Sequence, residues 1–188
     1  MHRSQHAAIA LIAGAVLGMP LSASAHENTT MVGGQPMYPS KDIVDNAMNS
    51  ADHRTLVAAV KAAGLVDTLK GKGPYTVFAP TDSAFARLPA GALDGLLKPD
   101  NKAMLARVLS YHVVPGRYDF AALQREIVKQ GGKAKLATAS GGSLSFTMNG
   151  NRNIQVMDEA GHSANISTYD VAQANGVVNV IDTVLMPQ

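Results

Sequence analysis

The hydrophobic period of this chain changes at the Gly141-Gly142 pair, and that change restricts the folds open to it. Upstream, apolar residues recur at helical spacing: Ile43, Val44, Ala47 and Met48, then Leu56, Val57, Val60 and Ala63, then Met104, Leu105, Val108 and Leu109. Downstream, Leu144, Phe146 and Met148 alternate with Ser143, Ser145, Thr147 and Asn149, the period of a strand with one buried face. Gly141-Gly142 and Asn149-Gly150 are turn signals on either side. Strand-like runs at Ile154–Val156, Asn165–Tyr169 and Val177–Ile181 continue the sheet. Short helices in one half and hairpin-linked strands in the other predict an α+β domain, not alternating βαβ units.

Local signals refine the first half. Ser40 and Asp52 are placed to N-cap two helices, with Gly64 at the C-terminal end of the second. Tyr75–Ala79 is β-branched and aromatic, a buried strand, and Thr81 or Asp82 then caps a short helix that Pro89 stops. Ala92–Leu97 and Asn101–Leu109 read as helices, Ser110–Val114 as a strand, and Asp119 starts a helix through Phe120, Leu123 and Ile127. Residues 26–39 have little periodicity, two prolines and a Gly-Gly pair, which predict a flexible N-terminal arm.

Residues 1–25 have the anatomy of a secretory signal peptide: Arg3 between two histidines, the apolar run Ala7–Met19, Pro20, and Ala23-Ser24-Ala25 as cleavage site. As a helix the apolar run would rise about 20 Å, short of the ~30 Å hydrocarbon core. Export to the periplasm or the exterior without a stable membrane anchor is therefore expected, with His26 as the new N-terminus. The chain contains no Cys, which excludes a disulfide scaffold, a thiolate metal site, a cysteine nucleophile and lipid attachment through that residue. Its formal charge is +2, with no basic run of the kind that tracks phosphates, so nucleic acid is not an expected partner.

Three segments are more specific. They are Tyr75-Thr-Val-Phe-Ala-Pro-Thr-Asp-Ser-Ala-Phe-Ala-Arg-Leu-Pro89, Leu109-Ser-Tyr-His-Val-Val-Pro-Gly-Arg-Tyr118, and Asn175-Gly-Val-Val-Asn-Val-Ile-Asp-Thr-Val-Leu-Met-Pro187. In this order they closely resemble the two signature blocks and the central Tyr-His block of the fasciclin (FAS1) domain family. The resemblance runs from about Ser40 to Pro187, so residues 40–188 are assigned as the domain. It implies a wedge of about seven β-strands packed with several short helices, an α+β arrangement. It also implies a non-enzymatic binding and adhesion module whose partner is a cell-surface or matrix protein or polysaccharide, with no cofactor. Asn179 stands where the second block often has His.

Within these blocks, Thr81, Asp82 and Asp182 are read as structural, satisfying backbone N–H groups at a helix start or a turn. Tyr111 and His112 are the candidate partner-binding residues. In a strand, one of the pair would face the core and the other the surface or a neighbouring element, and the other reading of His112 is a satisfied structural histidine. No nucleophile elbow, His-Glu-x-x-His or Walker loop occurs, and Asp158-Glu159 reads as a solvated hairpin tip. The alternative is copper binding by the processed arm. His26 would offer an α-amine and an imidazole, Met31 and Met37 thioethers, with His53, His112 and His162 as further ligands.

Overall fold

The computed structural model describes residues 28–188, and the leader expected over 1–25 lies outside them. Two short strands come first, β1 (Thr30–Val32) and β2 (Gln35–Met37), followed by helices α1 (Ile43–Asn49), α2 (Arg54–Ala63) and α3 (Val66–Leu69). Strand β3 (Tyr75–Pro80) leads to α4 (Asp82–Ala86), α5 (Ala92–Leu96) and α6 (Lys102–Tyr111). After β4 (Val113–Pro115) and α7 (Phe120–Lys129) come β5 (Lys133–Ala137), β6 (Ser143–Asn149), β7 (Asn153–Met157), β8 (Ser163–Gln173) and β9 (Gly176–Ile181). Among the described residues, seven strands form one sheet in the order β4-β3-β9-β8-β7-β6-β5. The Ala139 N–H donates to the Val113 carbonyl at 2.8 Å, which brings the chain after β5 onto β4 and nearly closes the sheet. This is the α+β fold that the change of period predicts.

Strand β3 organises two cores because its successive side chains point to opposite faces. Val77 and Ala79 join a helical cluster with Leu56, Val60, Leu105 and Leu109. Phe78 points the other way into the sheet interior with Leu144, Phe146 and Val156, its ring 5.2 Å from that of Phe146. Of the alternating Leu144, Phe146 and Met148, the first two are entirely buried and Met148 is half-buried at the strand's end.

The N-terminal segment differs from expectation. Residues 30–37 form an antiparallel hairpin in place of a flexible arm, turning at Gly33 and Gly34, which both have positive φ. Val32 and Met37 lie on its inner side and pack with Val171 and Val180. The Gly-Gly pair is thus a tight turn, the use to which its left-handed freedom is suited.

Three local features also move. The cap of α1 is Asp42, which accepts from the Asp45 N–H at 2.8 Å, and not Ser40. Helix α6 continues to Tyr111, so only the end of the expected 110–114 strand is extended. Strand β5 (Lys-Ala-Lys-Leu-Ala) carries no β-branched residue and gave no strand signal, yet Ala134 and Leu136 sit opposite Phe146 and Leu144. Pairing to β6 overrides its propensity.

Candidate functional site

The first and last of the three sequence blocks lie side by side. Strands β3 and β9 are parallel neighbours, with Tyr75 opposite Gly176 and Pro80 opposite Ile181. Gly176 is required by this approach, because a Cβ there would collide with the Tyr75 carbonyl. The strands end together, and their ends carry the residues read as structural.

Thr81 caps α4, its hydroxyl accepting from the Ala84 N–H at 3.2 Å. Asp82 serves a different helix: its carboxylate accepts from the Thr55 N–H at 2.8 Å and caps α2, whose own N-cap residue, His53, makes no side-chain cap. Asp52, expected in that role, instead receives the Asp82 N–H on its carbonyl at 2.7 Å. Asp182 accepts from the backbone N–H and side-chain amide of Asn165 at 2.8 and 3.0 Å and from the Thr183 hydroxyl at 3.0 Å. Burial pushes its pKa up, but these hydrogen bonds and Arg87 outweigh it and hold the carboxyl below its ordinary range.

Tyr111 and His112 do not divide between core and surface. Both are buried, at 0% and 2% exposure. The pair closes a helix, where consecutive residues lie about 100° apart and do not alternate, so both can turn inward. The Tyr111 hydroxyl donates to the Ser143 carbonyl at 2.7 Å and accepts from the Glu159 N–H at 3.0 Å, joining α6 to two hairpins. Burial raises its pKa.

The Nε2 atom of His112 lies 3.0 Å from the Leu185 nitrogen and must accept its proton. Nδ1 therefore carries the ring proton and donates to the Val108 carbonyl at 2.8 Å. Burial drives its pKa down to about 4, against the opposing pull of that carbonyl and of Asp158. This imidazole is a neutral structural group, inaccessible to a partner while the fold is intact.

Asp158-Glu159 is also more than a solvated tip. The Asp158 side chain is completely buried and accepts from the His162 N–H, His162 Nδ1 and the Met186 N–H at 2.8, 2.9 and 3.1 Å. Glu159 accepts from the Ser143 hydroxyl at 2.8 Å. The position often held by His, Asn179, is fully buried. Its Oδ1 accepts from the Asp170 N–H at 3.1 Å while its Nδ2 finds no partner.

The residues named for copper are dispersed. Met31 is exposed, but Met37, His53 and His112 are buried, and His162 is paired with Asp158. Among the described residues no group of three or more His, Asp or Glu side chains is placed to hold a metal ion. His26 lies outside the described residues.

One surface feature was not singled out from sequence. Between Thr168 and Val171 the β8–β9 pairing is interrupted, and Asp170 there has φ +58, the sole positive φ of a non-glycine among the described residues. Its Oδ1 accepts from the Phe120 N–H at 2.7 Å, fixing the start of α7 to the bulge. Phe120 and Tyr169 meet edge to face at 5.2 Å, both half-exposed, and Tyr118 is half-exposed nearby in the chain. Burial raises the Asp170 pKa, with Asp119 adding to the rise and Arg117 opposing it. The positive-φ backbone at Asp170, its carboxylate and the two orthogonal rings thus lie together on one rim, with the rings packed on the sheet core beneath. The sequence hint is Tyr169-Asp170, a polar break inside an otherwise apolar-alternating strand.

Comparison with known proteins accords with this geometry. Residues 51–187 match the family model for the fasciclin domain. Protein sll1483 of Synechocystis is 39% identical over 184 residues, covering 96% of this chain and 94% of that protein. The cell surface glycolipoprotein MPB83 of Mycobacterium bovis is 34% identical over 186 residues, covering 96% of this chain and 76% of that protein. The solved FAS1 domain pair of the insect cell adhesion molecule fasciclin I aligns with a TM-score of 0.69 at 19% identity. That alignment covers 78% of this chain and 51% of the insect chain. Blocks, fold and relatives agree: this chain belongs to the fasciclin domain family.

Proposed function

We propose that this protein is an exported, non-enzymatic adhesion module that binds a cell-surface or matrix protein or polysaccharide. The observation that carries this reading is the commitment of the Tyr-His and Asp side chains of the three blocks to internal hydrogen bonds. A reaction centre needs groups free to meet a substrate, and these groups hold the scaffold. The rim of half-exposed Phe120 and Tyr169 with exposed Asp170 is the contact surface. Aromatic rings offer large, rigid contact area at low entropic cost, which is why they dominate binding hot spots. The leader-like residues 1–25 and the cell-surface name of the mycobacterial relative support export. Among the described residues no helix is long and apolar enough to cross a membrane.

The test is saturable retention of the purified protein on extracted surface and matrix polymers of the native organism, read alongside a glycan array. Retention that a folded Tyr169→Ala variant loses supports the reading, with some thermal destabilisation expected because the ring packs on the sheet core and its hydroxyl accepts from the Ile154 N–H at 2.8 Å. Turnover of a small-molecule substrate with no retention on any polymer would contradict it.

A further inference from the structure

We propose that His112 and Asp158 form an acid-sensitive latch that holds the C-terminal segment 182–188 against the domain and releases it when the solution is acidified. Residues 184–188 belong to no strand or helix, so their backbone donors are satisfied from outside the regular ladders. Two consecutive ones are held by titratable acceptors: Leu185 N–H by His112 Nε2 at 3.0 Å, and Met186 N–H by Asp158 Oδ2 at 3.1 Å. The segment buries Val184 and Leu185 at 4% and 0% exposure.

Protonation reverses the first of these contacts. Nδ1 already donates to the Val108 carbonyl, so a second proton can enter only at Nε2, turning an acceptor into a donor that faces the Leu185 N–H. The ring is enclosed, 2% exposed, and its Nδ1 stays bonded to the Val108 carbonyl at 2.8 Å, so it has no open space to turn into. Around the imidazole, α6 presents the Val108 carbonyl and Tyr111, and the β7–β8 turn presents Asp158. Lys61 of α2 lines the same cavity as His112. Glu159 and Arg107 hold the segment's far end, bonding Gln188 at 2.9 and 2.5 Å. Asp158 is the group that favours the imidazolium, while burial resists it. Proton uptake is therefore coupled to opening, where the ring meets water.

Amide hydrogen exchange on the full chain, corrected for intrinsic rates, tests this between pH 7 and pH 4. Protection of the Leu185 and Met186 amides is expected to fall on the order of a hundredfold as the ring protonates, and at every pH to lie below that of the β3 and β9 amides, which exchange only through global unfolding. In His112→Gln, whose amide oxygen can accept from Leu185 but does not titrate, that pH dependence disappears. In Asp158→Asn, loss of the carboxylate that favours the buried imidazolium lowers the proton affinity of the closed state further, so the fall in protection between pH 7 and pH 4 becomes larger. C-terminal amides as strongly protected as those of β3 and β9 at every pH would overturn the proposal, since the segment would then open only with the whole domain. So would a fall in Asp158→Asn no larger than in the wild type, which decides the matter even if His112→Gln fails to fold.

Discussion

His112 is legible in the sequence as a special residue, either a satisfied structural histidine or a partner contact, and its 2% exposure fits the first. Its motif stood out in the sequence, but its burial depends on where α6 ends, and that is set by tertiary packing. The physical consequence is a definite pH dependence of stability. In the unfolded chain the imidazole takes a proton near its ordinary value of 6.5, while in the folded chain it does so near 4. Between those values the unfolded state binds more protons, so stability rises with pH. Its contribution is complete above about 6.5 and is lost as pH falls toward 4, a loss of about 3 kcal/mol. Asp182 acts in the same sense at lower pH, because its folded pKa is held below 3.8. Urea melts at pH 7, 5 and 4 should show the decline, and His112→Gln should flatten its upper part.

Asp82 gives a second prediction at this scale. The sequence placed it at a helix start, which is correct, but the helix it caps lies 27 residues upstream. No local pattern encodes a cap that one helix provides for another. Asp82→Ala should cost about 1 kcal/mol, the ordinary range for a lost cap. It should also speed exchange of the Thr55 amide. A Thr55 amide that stays protected would show that the carboxylate does not cap α2.

At the scale of elements, legibility followed locality. Helix α7 with its Asp119 cap, α2 with Gly64 behind it and the β6–β7 hairpin were readable, because each is specified by residues a few positions apart. Strand β5 was not, since its pairing to β6 supplies what Lys-Ala-Lys-Leu-Ala lacks. The N-terminal hairpin was missed for the same reason, as its inward residues Val32 and Met37 need Val171 and Val180 to make sense. The β3–β9 pairing is the element-level contact on which most depends. Gly176→Ala forces a methyl into the Tyr75 carbonyl, so backbone must shift between the two central strands. The variant should lose more than about 2 kcal/mol, above the ~1 kcal/mol typical of single substitutions. A chemical melt with an unchanged midpoint would show that the strands can part there without cost.

For the whole molecule, the resemblance carried the family and the architecture, because three ordered blocks specify a sheet whose central strands come from two of them. It did not carry the contact surface. The Tyr-His block drew attention as the place of binding, yet the structure spends it on holding α6, two hairpins and the C-terminal segment together. The rim at Phe120, Tyr169 and Asp170 depends on a bulge in β8 and on the start of α7, which are 50 residues apart in the chain. Proximity of that kind is legible only once the sheet is built.

The central claim, that this fasciclin domain binds through the rim and is merely built by its Tyr-His block, is tested most directly by one paired adhesion measurement. Surface-immobilised wild type, Phe120→Ala/Tyr169→Ala and His112→Gln are compared at pH 7 for retention of cells and matrix of the native organism. At least a tenfold loss is expected for the rim variant wherever it folds, with a lowered melting temperature because both rings pack on the sheet core and the Tyr169 hydroxyl accepts from the Ile154 N–H at 2.8 Å, while a folded His112→Gln retains wild-type binding. Full binding by the rim variant, with loss confined to a folded His112→Gln, would contradict it.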